Sequence, residues 1–132
     1  TAKNQLEQAG FNIDLQRMEW ATVTERRSNS ELWEAFSTGF TFRADPTMMA
    51  FLRPSYAGWW ENEEVQALLE EMEQNDNFDD RYAAMEKIQE IFYDDVPVVK
   101  IGDYSNLRLL GPDVHGFMNM NEIFFWNVWL EE

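Results

Sequence analysis

The feature that most constrains the fold is a repeated switch between helix-like and strand-like spacing of apolar residues. Residues 1–9 carry apolar side chains at helical spacing, and Gly10 is suited to end that helix. Residues 11–16 then alternate apolar and polar side chains, which is typical of a strand with one buried face. A short helix over 22–27, begun by the threonine–glutamate spacing of a capping box, and an apolar strand over 32–40 follow. This order predicts right-handed crossovers and a parallel sheet.

The second half of the chain is predicted to form two amphipathic helices followed by two strands. Asn62 is positioned to cap the first of these helices, and Asp79 to cap the second. Segments 98–101 and 107–110 are apolar and bounded by Gly-Asp and Gly-Pro, so they are strand candidates. The apolar stripes of the two helices, which we expect in the core, are Val65, Leu68, Leu69 and Met72, and then Tyr82, Met85, Ile88, Ile91 and Phe92.

The composition excludes several classes of function. The chain has 132 residues, enough for one domain with a single core. Its 25 acidic and 10 basic residues give a net charge of −15, which argues against binding nucleic acid or anionic membranes. Cysteine is absent, so disulfides and thiolate zinc sites are excluded. No run of about 18 apolar residues exists in the sequence, so no membrane-spanning helix is predicted.

The residues that usually carry catalysis are scarce or scattered. His115 is the single histidine, so no histidine-based metal centre is expected, and no serine has an evident catalytic partner. The paired carboxylates fall on predicted helices or their caps, where a solvated charged face is the usual role. No glycine-rich phosphate loop is present. The sequence therefore predicts a protein that is not an enzyme and holds neither a metal nor a cofactor.

The candidate binding site is the loop Gly39 to Pro46. A predicted strand runs into it, an Asp-Pro helix start closes it, and two tryptophans follow downstream. Ligands of α/β sheets bind beyond the carboxyl ends of the strands, where aromatic rings stack on a ligand and an arginine holds an anionic group. As an alternative to contacting a ligand, the side chains of Trp20 and Phe40 fill the end of the hydrophobic core. The predicted ligand-binding residues are Trp20, Phe40, Phe42, Arg43, Asp45, Trp59 and Trp60.

The order of these motifs resembles a known family. In order along the chain, the matching residues are Gln5-Leu6-Glu7-Gln8-Ala9-Gly10-Phe11, Asn12-Ile13-Asp14-Leu15, Gly39 with Asp45-Pro46, Asn62-Glu63-Glu64-Val65, Arg81-Tyr82 with Ile88-Gln89-Glu90-Ile91, and Asp94-Asp95-Val96-Pro97. In sequence and spacing they are similar to the C-terminal lobe of the dipeptide/oligopeptide class of periplasmic solute-binding proteins (bacterial extracellular solute-binding protein family 5), the receptors of ABC importers. The resemblance covers nearly the whole chain.

The resemblance implies an α/β fold, one lobe of a type II periplasmic binding protein with a parallel or mixed sheet flanked by helices. Residues 1–110 would form the ligand-binding lobe, incomplete at its N-terminus, and 111–132 a return segment that contacts the other lobe. The implied function is the extracytoplasmic substrate-binding component of an ABC importer for peptides or related small solutes. Its implied partners are the ligand, the missing N-terminal lobe and the membrane permease. The implied location is periplasmic or extracytoplasmic, with membrane association only through the permease or a lipid anchor.

One departure from the family bears on the ligand. Peptide receptors of this family place an aspartate a few residues before the Asp-Pro pair, where it holds the ammonium group of the ligand. Here that stretch is Thr41-Phe42-Arg43-Ala44. Because an arginine suits a carboxylate, phosphate or sugar acid, the departure favours an anionic or opine-like ligand over a peptide held by its amino end. The aromatic tail 124–129 is expected to be covered either by self-association or by a rearranged terminus.

Two alternatives from other functional classes stay open on the sequence. One is a carbohydrate-active or carbohydrate-binding domain whose tryptophans and acidic residues form sugar subsites. The other is an interaction module whose aromatic tail contacts a partner protein. The first would be recognised by glycan turnover, and the second by a protein partner without any small ligand.

Overall fold

A computed structural model describes residues 2–41, 43–120 and 123–131. The chain divides into two compact units, Thr1–Ser37 and Thr38–Glu132, which are treated separately below. Three short 3-10 turns, Ser30–Leu32, Pro46–Met48 and Ala50–Leu52, supplement the longer elements. Those elements are the helices α1 (Ala2–Gln8), α2 (Trp20–Arg26), α3 (Glu63–Gln74) and α4 (Phe78–Asp95), and the strands β1 (Val114–His115) and β2 (Trp129–Leu130).

The predicted α/β lobe with a parallel or mixed sheet is wrong. Within the described residues the protein is mostly helical, and its strands form one antiparallel pair in which Val114 lies opposite Leu130 and His115 opposite Trp129. The predicted strands over 11–16, 32–40, 98–101 and 107–110 are not strands. An alternating pattern indicates a half-buried surface, but a strand also needs a neighbour to accept its backbone hydrogen bonds.

The exposure of these segments shows that they lack such a neighbour in the described structure. Phe11 and Leu15, which were to form a buried strand face, are 60% and 50% exposed. Ile101 is 85% exposed, and Leu109 is 95% exposed. The apolar side chains of these predicted strands are therefore not buried, and the sheet that would have covered them is not formed by the described residues.

The first unit contains two short helices whose ends only partly follow the sequence signals. Gly10 stops α1 as predicted, with a left-handed φ of 96° that glycine adopts without strain. The second helix begins at Trp20, and its N-cap residue Glu19 makes no side-chain capping bond. The capping box predicted at Thr22 and Glu25 is therefore not used, and α2 starts two residues earlier, at Trp20.

The second unit is organised by the hairpin of α3 and α4. All four residues of the predicted α3 stripe are buried, which confirms that helix and its inward face. In α4 most of the predicted stripe is confirmed, because Ile88 is buried and Met85, Ile91 and Phe92 pack against the core. Tyr82 is the exception at 57% exposed, and Ala84 is buried although it was not predicted to be. Full burial of a Leu, Ile or Met side chain stabilises by about 1.5–3 kcal/mol, so this small cluster dominates the stability of the unit. The buried residues are Leu52, Val65, Leu68, Leu69, Met72, Ala84 and Ile88.

Asparagine caps begin both helices of the hairpin. The Asn62 side chain accepts hydrogen bonds from the backbone N–H groups of Glu64 at 3.1 Å and Val65 at 3.2 Å, as predicted. The cap of α4 is Asn77, whereas the sequence indicated Asp79. Asp79 lies in the first turn, where the helix dipole favours an acidic side chain. None of the described helices is both long and apolar enough to cross a bilayer.

Candidate functional site

An open pocket of about 360 Å³ lies in the second unit. One wall is the loop 56–61, and the other is Pro97 and Val98, which follow the end of α4. Phe51, from the turn before α3, completes the lining. The pocket falls within the range of about 300–1,000 Å³ that is typical of small-molecule sites.

Aromatic contacts connect the pocket to the helical hairpin. The ring of Phe51 lies 5.0 Å from that of Phe40 and 5.6 Å from that of Phe92 in α4. Phe40 also lies 5.5 Å from Tyr56, and Trp60 meets Phe92 edge-on at 5.6 Å. Such edge-on and tilted pairs are the favoured geometries of aromatic rings. Three rings of the lining thus form a continuous packed set with two rings behind the pocket, which limits how far the lining can move.

The two walls of the pocket each depend on a strained residue. Trp59 has a left-handed φ of 45°, in a turn closed by its N–H donating to the carbonyl of Tyr56 at 2.8 Å. Val96, directly before Pro97, has a left-handed φ of 49° and donates its N–H to the carbonyl of Phe92 at 2.9 Å. This conformation costs a non-glycine residue about 1–2 kcal/mol and persists only where the surroundings enforce it. Strain of this kind is concentrated at functional sites.

The carboxylate of Asp95 joins the loop to both helices. It accepts a hydrogen bond from the indole N–H of Trp60 at 2.9 Å and another from the side-chain amide of Asn62 at 3.1 Å. Asn62 also caps α3, and Asp95 is the last residue of α4. The ring of Trp60 is therefore held from its polar edge by Asp95 and from its apolar side by Phe92.

Three of the residues predicted from the sequence come together at this pocket. Trp59 and Trp60 line it, and Phe40 supports it from behind through Phe51 and Tyr56. The sheet edge that was expected to assemble them is absent from the described structure, and a loop and a helix end assemble them instead.

The other predicted site residues lie elsewhere or are not described. Trp20 belongs to the first unit, where its ring lies 5.8 Å from the guanidinium carbon of Arg27. Arg43 is exposed and is not part of the pocket lining. Phe42 lies outside the described residues.

Asp45 has a structural role that the sequence predicted in part. One carboxylate oxygen accepts from the backbone N–H of Thr47 at 2.9 Å and from its hydroxyl at 2.8 Å, which confirms the predicted cap. The other accepts from the guanidinium of Arg81 at 2.8 Å. These hydrogen bonds, led by those from Thr47 and assisted by the charge of Arg81, hold the pKa of Asp45 below its ordinary value.

Sequence reasoning missed two acidic residues at the pocket. Glu61 lines it, and Asp95 orients one of its tryptophans. The sequence placed Asp95, together with Asp94, on a solvated helix face. Its partners Trp60 and Asn62 are distant in sequence and reach it only because the end of α4 meets the loop. A signal for Glu61 was available, since it directly follows the two tryptophans.

No convergent metal site is found in the part of the chain that the structure describes. His115 stacks on Trp129 with ring centroids 4.5 Å apart, and its Nε2 lies 3.0 Å from a carboxylate oxygen of Glu131. These contacts hold the β1–β2 pair together.

The lining of the open pocket combines aromatic rings, apolar surface and one carboxylate. Comparison with known proteins adds no family to this description. No protein-family model matches the chain, and no solved structure gives a significant match.

Proposed function

We propose that this chain is part of the extracytoplasmic substrate-binding component of an ABC importer for peptides or related small solutes. In this proposal the pocket lined by 56–61, Phe51, Pro97 and Val98 contributes to the ligand cleft. The proposal does not depend on the predicted parallel sheet, which the described residues do not form. It depends on the sequence motifs and on how they meet in the described structure.

The observation that carries the proposal is that motifs distant in sequence pair with one another. Asn62 of the Asn-Glu-Glu-Val motif donates to Asp95 of the Asp-Asp-Val-Pro motif, across 33 residues. Asp45 of the Asp-Pro motif pairs with Arg81 of the Arg-Tyr motif, across 36 residues. Four of the motifs that carry the resemblance to solute-binding proteins thus form two contacts, and the first of these contacts lies beside the pocket.

The exposed apolar segments also fit a receptor with a further lobe. Val99 and Ile101 are 74% and 85% exposed, and Leu107 and Leu109 are 90% and 95% exposed. Apolar side chains in such contiguous stretches are normally covered by another part of a protein or by a partner. In the proposed receptor the remaining lobe and the permease supply that cover.

Ligand capture and transport by the natural full-length protein test the proposal. A thermal-shift panel of dipeptides, opine-like compounds, small acids and small organic cations is expected to give at least one ligand, confirmed by calorimetry. Membrane vesicles that contain the cognate permease should accumulate that ligand only when the receptor is added. Glycan turnover that is abolished by substituting one acidic residue would overturn the proposal in favour of the carbohydrate-active alternative.

A matched pair of variants links the captured ligand to the pocket. Trp59→Ala removes a ring from the lining and is expected to weaken binding about tenfold, since an aromatic contact contributes roughly 0.5–1.5 kcal/mol beyond its burial. Phe78→Ala removes an exposed ring at the first residue of α4, outside the pocket lining, and should leave the affinity unchanged. Equal affinities for all three proteins would show that the ligand binds somewhere else.

A further inference from the structure

We infer that the pocket selects an organic cation, specifically a quaternary ammonium group carried on a small apolar body. The inference rests on the proposed function, because it names the chemical class of solute for the same pocket. It differs from the anionic ligand that Arg43 suggested, since Arg43 is not part of the lining.

The lining contains the groups that attract such a cation. Phe51, Tyr56, Trp59 and Trp60 present four aromatic rings, and the faces of aromatic rings attract cations, those of tryptophan most strongly. Glu61 is the charged residue of the lining, and it supplies a formal negative charge. A quaternary ammonium group has no N–H donor and therefore needs no hydrogen-bond acceptor, so rings and one carboxylate are sufficient.

The surroundings strengthen the negative potential of the rings. The carboxylate of Asp95 accepts the indole N–H of Trp60, and this bond polarises the indole so that its face becomes more electron-rich. Within the described residues of the same unit, the charge of Arg53 is paired with Glu73, and that of Lys100 with Asp103 at 2.9 Å. The net charge of −15 adds a long-range field that favours the approach of cations.

The rings are also held in place before a ligand arrives. Trp60 is fixed between Asp95 and Phe92, and the left-handed backbone of Trp59 sets its side chain on the rim of the pocket. Trp59 remains 39% exposed, so its ring is accessible. Preorganised rings bind with a smaller loss of side-chain freedom than mobile ones.

Choline and its uncharged isostere 3,3-dimethylbutan-1-ol are the probes that test this inference on the natural full-length protein. The readout is the NMR signal of each indole N–H, assigned with Trp59→Phe and Trp60→Phe. Choline is expected to shift the signals of Trp59 and Trp60 and to bind about fivefold to tenfold more tightly than the neutral isostere, the range expected of a cation–aromatic contact. Equal affinities for the two probes, or shifts confined to other tryptophans, would overturn the inference.

Glu61→Gln isolates the charge while it keeps the shape of the side chain. It should reduce the preference for choline at least about threefold, as expected when a nearby carboxylate is neutralised in a partly exposed site. Glu86→Gln, on the exposed surface of α4, is the matched control and should leave the preference unchanged. Equal effects of the two substitutions would mean that overall charge alone is responsible, which would also overturn the inference.

These outcomes separate the inference from the proposed function. If the ligand panel yields a transported solute but the pocket prefers the neutral isostere, the inference is wrong and the receptor function stands. If no solute is captured or transported, the proposed function is wrong whatever choline does.

Discussion

Asp45 and Arg81, which are 36 residues apart, form an ion pair with 2.8 Å between a carboxylate oxygen and a guanidinium nitrogen. The other guanidinium nitrogen of Arg81 donates to the backbone carbonyls of Met72 and Asn75, the latter at 3.2 Å. A single side chain thus joins the end of α3, the first turn of α4 and the 3-10 turn Pro46–Met48. Arg81 is 23% exposed, so these bonds are partly shielded from water.

Arg81→Met is expected to lower the free energy of unfolding by about 1.5–3 kcal/mol, because it removes a charged donor and leaves two helix-end carbonyls without it. Urea denaturation followed by circular dichroism measures this change. The matched control is Lys87→Met, on the exposed face of the same helix, which should change the free energy by less than about 0.5 kcal/mol. Equal losses in both variants would contradict the assigned role of Arg81.

Asp45 is expected to make stability depend on pH in the acid range. Its pKa is lowered in the folded protein from its ordinary value of 3.8, by the bonds from Thr47 and Arg81. Its contribution is therefore complete above pH 3.8 and is lost as the pH falls through the lower, folded value. Asp45→Asn keeps an acceptor for Thr47 but has no charge to lose, so the difference in stability between the two proteins should shrink on acidification. A difference that stays constant down to pH 2 would contradict this.

The hairpin core predicts a large contrast between two leucines. Leu69 is fully buried between α3 and α4, whereas Leu107 is 90% exposed. Leu69→Ala is expected to cost about 2–5 kcal/mol because it leaves a cavity. Leu107→Ala should cost less than about 0.5 kcal/mol. Thermal unfolding of both variants checks the contrast, and similar melting temperatures would show that the core lies elsewhere.

Val96→Gly is expected to stabilise the protein by about 0.5 kcal/mol. The left-handed conformation costs valine about 1–2 kcal/mol, while the greater freedom of unfolded glycine offsets about 0.5–1 kcal/mol of the relief. The valine side chain is 54% exposed, so little burial is lost. Ala83→Gly, inside α4, should change the stability in the opposite direction and cost about 1 kcal/mol. A loss of stability in Val96→Gly would show that its side chain matters more than its backbone.

The aromatic tail is expected to drive self-association. Phe125 and Trp126 are 71% and 74% exposed, and Trp126 stacks on Phe124 with ring centroids 4.9 Å apart. Sedimentation velocity of the 132-residue chain should show a concentration-dependent increase in mass that Trp126→Ser reduces. A clean monomer at all concentrations would contradict this expectation.

The helical parts of the fold were predictable because their signals are local. The Asn62 cap, the stop at Gly10 and the α3 stripe each involve residues within a few positions of one another. The strands were not predictable in the same way, because a strand exists only if a distant segment pairs with it. The segments 11–16 and 98–101 have strand-like sequences but no pairing partner in the described structure.

Of the seven residues predicted for the candidate site, three meet at the pocket, and they meet by a route that the sequence did not indicate. Trp59, Trp60 and Phe40 do converge, but through a loop and the end of α4. Asp45 was expected to face a ligand and instead binds Thr47 and Arg81. The route by which the pocket residues converge and the partners of Asp45 were missed for the same reason. Both depend on long-range contacts of α4, which the local spacing of residues does not reveal.

The exposure of 98–101 and 107–110 has a consequence for how the protein behaves at high concentration. Short apolar segments without pairing partners can template stacking between molecules. At low ionic strength the −15 charge keeps neighbouring molecules apart, but about 1 M salt shortens the screening distance to roughly 3 Å. The colloidal stability of the isolated chain therefore depends on its acidic helix surfaces, and salt that leaves the folded hairpin intact will nonetheless promote precipitation.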